Sequence, residues 1–198
     1  MDSALLSLFG FSLAMYITPG PNNVMVASSA ANHGIRATLP HMLGIAFGFS
    51  LMLALVCAGL GSVLVSWPLL LPLFRWVGAA WLVWLAWQIA SAPPPGAGGR
   101  RRVLGFSGAA AFQWVNPKAW LIAVGAAGEY LSPHQSLIVQ LARIFVVFLL
   151  VGMPCLLVWA LLGSGAGRLL RSPVQLRAFY VAMALLLVLS LLPVLIEG

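Results

Sequence analysis

The longest uncharged run of the chain extends from Ala37 to Phe74. A membrane-spanning helix needs about 20 apolar residues, so this run is too long for a single crossing. Pro68 and Pro72 interrupt it, and proline favours a turn over a continued helix. We therefore predict a hairpin of two membrane helices with a tight connection between them.

The composition extends this interpretation to the whole chain. Hydrophobic residues make up 62% of the 198 residues and charged residues only 7%, whereas about 25% of a soluble domain is charged. Six spans of about 20 residues would leave only short connections. The sequence predicts an all-α, polytopic membrane protein with one transmembrane domain over 1–198. Its six helices are predicted at 3–31, 40–64, 71–91, 104–129, 136–162 and 176–196.

The positive charges predict how the chain is oriented. Seven arginines fall in alternate connections: Arg36, Arg100, Arg101, Arg102, Arg168, Arg171 and Arg177. Cytoplasmic loops are rich in arginine and lysine, so these connections are predicted to be cytoplasmic and both termini to lie outside. Short basic membrane loops explain the net charge of +7 without a nucleic-acid partner, and the lipid bilayer is the expected surrounding.

Few residues are available for catalysis or metal binding. The chain has only three acids, Asp2, Glu129 and Glu197, which excludes most carboxylate chemistry. Cys57 and Cys155 lie in apolar stretches without a CxxC spacing, so no disulfide framework or zinc site is indicated. A phosphate-binding loop is also absent from the sequence. We predict a protein that is not an enzyme, uses no metal or cofactor, and transports only along ion or solute gradients.

The six predicted spans divide into two halves of three, with repeat 1 at about 1–91 and repeat 2 at about 104–198. A Pro/Gly/Arg-rich cytoplasmic linker, 92–103, joins them. Because three is odd, the second half would be inverted relative to the first, as in many transporters. Each half begins with a helix that is interrupted by proline beside asparagine, at 18–23 and at 113–118.

These interruptions are the predicted substrate site. Proline removes a backbone donor and frees carbonyl groups, which a membrane tolerates only where protein or a wet cavity satisfies them. A half-helix that begins near Asn22 would direct its free N–H groups toward a carboxylate. An alternative is a plain kink whose freed groups the asparagines satisfy, with Lys118 extending to the membrane interface. The predicted substrate-binding residues are Thr18, Pro19, Gly20, Pro21, Asn22, Asn23, Asn116, Pro117 and Lys118.

Other polar residues are assigned less specific roles. Glu129, Arg75 and Arg143 lie near the predicted outer ends of their helices, where Glu129 forms an ion pair or acts as a proton-coupling carboxylate. His41 begins a span on the cytoplasmic side, which predicts an interfacial position. The spacing of Gly44 and Gly48 permits close helix contact, within the chain or in a homodimer.

Three motifs resemble the LysE/RhtB superfamily of bacterial amino-acid exporters. They are Thr18-Pro19-Gly20-Pro21-Asn22-Asn23 in the first span, the run Arg75 to Leu85 in the third, and Asn116-Pro117-Lys118 in the fourth. The stretches Ala27 to Arg36 and Gly78 to Ala90 look most like the cysteine and O-acetylserine exporter branch. The resemblance covers nearly the whole chain. It implies a secondary exporter of the bacterial inner membrane that is coupled to protons.

One departure from the family pattern bears on the substrate. Some relatives carry an acidic residue in the second helix, whereas Gly44 to Ser50 contains none, which favours a small neutral amino acid over a cationic one. Export of cysteine, O-acetylserine, threonine or homoserine is thus the predicted function. The alternatives are a thiol-redox carrier that uses Cys57 and Cys155, an exporter of metals or other small solutes, and an assembly subunit that does not transport.

Overall fold

The computed structural model describes residues 3–60, 70–91, 104–170 and 172–192. Within them the chain forms eight α-helices and no strand. Their bounds are α1 Ser3–Ile17, α2 Pro21–His33, α3 Ile35–Leu55, α4 Leu70–Ala90, α5 Phe106–Phe112, α6 Pro117–Tyr130, α7 Leu137–Leu169 and α8 Pro173–Leu189. A π-helical turn, Val56–Leu60, extends α3, and a 3-10 turn, Gln113–Val115, follows α5.

The predicted all-helical architecture is confirmed, but two helix ends were misplaced. Helix α3 begins at Ile35 rather than at 40 and contains Pro40, and α7 continues to Leu169 rather than ending at 162. Gly34, with φ 79°, lets the chain reverse between α2 and α3 within one residue. Only glycine adopts this backbone conformation without strain, so no longer loop separates the two helices.

Both predicted helix interruptions are present. Helices α1 and α2 meet at an angle of 54° across 18–20, and α2 begins with Pro21, which needs no backbone donor at that position. The second interruption is the 3-10 turn followed by Asn116, whose backbone is extended, before Pro117 begins α6. The two proline-asparagine motifs therefore produce the same kind of break in different parts of the chain.

Helix α7 is the centre of the bundle and packs against α1, α2 and α3. Its contact with α2 is very close, because a Cβ placed on Gly163 would lie 2.0 Å from the carbonyl oxygen of Ala27, and one on Gly167 would lie 2.4 Å from that of Ala31. Small residues at this spacing allow helix backbones to touch. Helices α4 and α8 form a second packed pair, which contacts the bundle through α2.

The Gly44 and Gly48 motif is used within the chain. A Cβ on Gly44 would lie 2.2 Å from the backbone oxygen of Phe106, and one on Gly48 would lie 2.5 Å from Cα of Ala110. The face that the sequence left open to a homodimer is therefore covered by α5. These contacts bring the segment before the second break against α3.

The outer surface of the bundle is apolar. Leu150 is 66% exposed, Trp87 65% and Leu161 54%, which suits contact with lipid chains. By length and composition, Ile35–Leu60 and Leu137–Leu169 could each cross a membrane among the described residues, and the bent pair α1 and α2 would add a third crossing. The segments Trp76–Ala90 and Pro173–Leu189 are apolar but shorter.

Several predicted features lie outside the described residues. They are the linker 92–103 with its three arginines, Arg171, Pro68, and the terminal acids Asp2 and Glu197. Arg75 lies on α4, but its side chain is also outside the described part of the chain.

Candidate functional site

Lys118 joins the two helix breaks. Its ammonium group donates hydrogen bonds to the carbonyl oxygens of Thr18 at 2.9 Å and of Pro19 at 3.3 Å. Its stem passes so close to Gly20 that a Cβ there would lie 2.9 Å from Cδ of the lysine. The only lysine of the chain thus binds the unwound backbone of the first break from the start of the second.

Side chains donate to several of the carbonyl groups that the first break frees. Asn23 Nδ2 donates to the carbonyls of Tyr16 and Thr18, both at 2.8 Å. Trp159 Nε1 donates to the carbonyl of Ile17 at 3.3 Å. Because unpaired backbone groups are costly in a membrane, these side chains make the break stable there. Asn23 therefore has the structural role that the plain-kink alternative described, whereas Lys118 points into the protein rather than to an interface.

Asn22 and Gln113 form a reciprocal amide pair between the two breaks. Asn22 Nδ2 donates to Gln113 Oε1 at 2.9 Å, and Gln113 Nε2 donates to Asn22 Oδ1 at 3.1 Å. Gln113 is fully buried and also donates to the carbonyl of Ala109 at 2.9 Å. The pair is a second polar link between the halves, beside that of Lys118.

We expect Asn22→Leu and Gln113→Leu each to destabilise the protein by about 1–3 kcal/mol, because each removes both hydrogen bonds of the amide pair. The double variant should lose about 1 kcal/mol less than the sum of the two single losses. Thermal unfolding of the purified variants in one detergent measures this. Strict additivity of the two losses would show that the amides do not act as a pair.

The second break is held from within its own segment. Asn116 Oδ1 accepts the backbone N–H of Lys118 at 3.2 Å and so caps α6, which satisfies one of the free donors of a helix start. Trp120 Nε1 donates to the carbonyl of Trp114 at 2.8 Å. Asn116 thus fixes the direction of α6, and α6 in turn aims Lys118 at the first break.

The space between the breaks is very small. A cavity of about 20 Å³ lies there, lined by Gly20, Pro21, Asn22, Asn23, Asn116 and Lys118 among others. A cavity of this size has room for about one water molecule, so an amino acid does not fit. The structure thus brings together the predicted substrate-binding residues from the two breaks, and it holds them in a closed arrangement.

A second cavity, of about 410 Å³, lies further along α2, between α2, α3, α4 and α8. Its size falls within the range of small-molecule binding sites, about 300–1,000 Å³. Ser28 and His41 line it, 8% and 2% exposed respectively, and among the described residues no hydrogen-bond partner is found for their side-chain polar atoms. His41 is therefore buried among the helices, in the second turn of α3.

A third cavity lies at the opposite end of the bundle. It measures about 140 Å³ and is lined by Glu129 and Arg143, together with Gln140. The structure thus places two of the three ion-pair candidates beside one cavity. Gln140 also binds the backbone of the α6–α7 connection, accepting from Ser132 N–H at 2.7 Å and donating to the carbonyl of Ser132 at 3.0 Å.

The cysteines are both buried and free, Cys57 in the π-helical turn and Cys155 in α7. Within the described ranges, no three His, Cys, Asp or Glu side chains cluster closely enough to hold a metal ion.

Sequence reasoning missed three residues of these sites. Gln113 lies within the second motif, and its position three residues before Asn116 was the only signal of its role. Trp159 is one of eight tryptophans and carries no sequence signal for its bond to the first break. His41 was noticed, but no sequence signal indicated that it lines a cavity.

The comparisons with known proteins identify the family of the chain. Residues 13–197 match the family described as LysE type translocator, so the chain belongs to this family of transport proteins. It is 36% identical over 190 residues to the cysteine/O-acetylserine efflux proteins of Escherichia coli strain K12 and Shigella sonnei strain Ss046, covering 95% of this chain and 96% of each relative. No solved structure matches the chain significantly. The family resemblance inferred from the motifs is thus confirmed.

Proposed function

We propose that this chain is a secondary transporter that exports a small neutral amino acid or derivative, of the cysteine, O-acetylserine, threonine or homoserine type. The observation that carries the proposal is the bond between the Lys118 ammonium group and the unwound carbonyls of Thr18 and Pro19. Two interrupted helices that meet in this way are the usual construction of a carrier site. The relatives named as efflux proteins for cysteine and O-acetylserine support the substrate class.

The junction also suggests how a substrate is bound. The ammonium group of Lys118 occupies the carbonyl cradle that would suit the α-ammonium group of an amino acid. A substrate that takes this place releases Lys118, whose positive charge then faces the substrate's carboxylate. The N-terminus of α2, which no side chain caps, adds donors for the same carboxylate.

Alternating access follows from the unequal sizes of the cavities. In the proposed orientation the helix ends that carry Arg36 and Arg168 are cytoplasmic, so the cavity of about 410 Å³ opens inward and that of about 140 Å³ lies toward the outside. The closed junction separates them. We propose six crossings in two inverted halves, which rock about the two breaks and exchange the open side. The inner bacterial membrane is the proposed location and the proton gradient the proposed driving force.

Counterflow in proteoliposomes tests the proposal. Purified chain is reconstituted into tight vesicles loaded with unlabelled cysteine, O-acetylserine, serine, threonine, homoserine, leucine or lysine, and uptake of the same radiolabelled amino acid is followed with and without an imposed pH gradient. We expect saturable exchange of at least one of the small polar neutral amino acids, little exchange of lysine, and acceleration by the pH gradient.

The outcomes separate the parts of the proposal. Exchange that does not respond to the pH gradient would overturn proton coupling and leave amino-acid export in place. Preferred exchange of lysine would overturn the neutral substrate class. If folded protein in tight vesicles exchanges none of these amino acids, amino-acid export is wrong for this chain.

A further inference from the structure

Two residues that line the cavity of about 410 Å³ carry polar atoms for which the described residues provide no hydrogen-bond partner. Ser28 Oγ and both ring nitrogens of His41 are buried and unpaired among the described residues. Burying a polar group without a hydrogen bond is costly. By contrast, the neighbouring polar groups of the same cavity are paired: Tyr180 donates to Asn32 Oδ1 at 2.8 Å, and Ser29 Oγ lies 2.9 Å from Thr38 Oγ1.

The paired groups fix the geometry of the unpaired ones. Asn32 Nδ2 donates to the carbonyl of Ser28 at 2.8 Å, so the Asn32 side chain ties Tyr180 of α8 to the backbone of Ser28 on α2. Thr38 binds both Ser29 and the carbonyl of Gly34, at 2.9 Å each. This network holds α2, α3 and α8 together around the cavity that Ser28 and His41 line.

We propose that this cavity is a second, preceding binding site for the exported amino acid, in which Ser28 and His41 contact its polar groups. The inference rests on the proposed function. Ser28 lies six residues after Asn22 on the same helix, about 9 Å along its axis. An amino acid bound here therefore lies close to the closed junction, in a site that is large enough to hold it.

The walls of the cavity define the chemical class of the ligand. None of the described residues that line it is Asp, Glu, Lys or Arg, so these described walls offer no counter-charge to a charged side chain. Trp81 and Trp84, with ring centroids 4.8 Å apart, form an aromatic wall that suits an ammonium group through cation–π attraction. A serine hydroxyl and an imidazole each donate and accept hydrogen bonds. The site therefore suits a small zwitterion with a neutral side chain.

The test measures counterflow kinetics of three variants: Ser28→Ala, His41→Phe, which fills the ring volume without its polar atoms, and His41→Gln, which keeps a donor and an acceptor. The probe is radiolabelled O-acetylserine, or whichever small neutral amino acid the unaltered chain exchanges best. We expect Ser28→Ala and His41→Phe each to raise KM about tenfold, with the maximal rate changed less than twofold, and His41→Gln to restore part of the loss. Ser12→Ala is the matched control, since Ser12 Oγ is also buried, has no hydrogen-bond partner in the described part of the chain, and does not line this cavity.

Each outcome bears on the proposal. A raised KM at both positions, with Ser12→Ala unchanged, supports the second site. Unchanged KM in folded Ser28→Ala and His41→Phe, while the unaltered chain exchanges its substrate, overturns the second site alone. If the unaltered chain exchanges no amino acid, the proposed function fails and this inference fails with it. Equal loss in the Ser12→Ala control also overturns it, because the effect would then come from buried serine in general.

Discussion

Replacing Lys118 with methionine is expected to reduce amino-acid exchange at least about tenfold. Methionine is also unbranched and is one atom shorter, but it cannot donate to the carbonyls of Thr18 and Pro19. A hydrogen bond from a charged group contributes about 1.5–3 kcal/mol, and the two carbonyls lose this donor together. The substrate also loses the cation that faces its carboxylate. Counterflow in proteoliposomes measures the effect.

Two further variants define the role of the lysine. Arg168→Met removes a cation from the last turn of α7, far from the junction, and should leave exchange within twofold. Lys118→Arg keeps the charge but enlarges the head group beside Gly20, where space is lacking, so it should restore only part of the rate. Exchange by folded Lys118→Met at the unaltered rate would show that the substrate does not pass through the junction of the breaks.

The second large effect is on stability rather than transport. Gly163→Ala is expected to destabilise the protein by about 3 kcal/mol, at the upper end of overpacking costs, and to lower its melting temperature by about 6 °C or more. The added Cβ would lie 2.0 Å from the carbonyl oxygen of Ala27. A main-chain oxygen cannot rotate away as a side chain can, so α2 and α7 must separate, and α2 carries residues of both the junction and the large cavity.

The chain supplies a matched control two residues further along α7. A Cβ on Gly165 meets nothing within 4 Å among the described atoms, so Gly165→Ala should be neutral or slightly stabilising. Both substitutions gain the same helix propensity, about 1 kcal/mol, and their difference therefore isolates the contact with α2. Equal melting temperatures for the two variants in one detergent would disprove the close α2–α7 packing.

Much of the fold was predictable because its signals are local. Apolar length located the helices, and proline beside asparagine located both interruptions, since a missing N–H and a steric clash act within one turn. The positions of the helix ends were predicted less accurately. The start of α3 was placed at residue 40, although a glycine at 34 with positive φ makes the turn earlier.

The candidate site was predictable in its residues but not in its state. Asn22, Asn23, Asn116 and Lys118 were chosen for their place in two motifs, and all four line one small cavity. Their hydrogen bonds divide the roles differently from the prediction. Asn23 and Asn116 stabilise backbone, whereas Lys118 and the pair of Asn22 with Gln113 join the two breaks.

The sequence alone determined that the chain is an apolar helical protein with two similar helix interruptions, because hydrophobicity and proline chemistry act over a few neighbouring residues. Only the tertiary structure decided which polar groups are satisfied and where a ligand has room. Pairing and burial depend on residues that are distant in sequence. Trp159 donates to the carbonyl of Ile17, Tyr180 donates to Asn32, and α5 packs against Gly44. For the same reason, His41 lies inside a cavity that four helices build together.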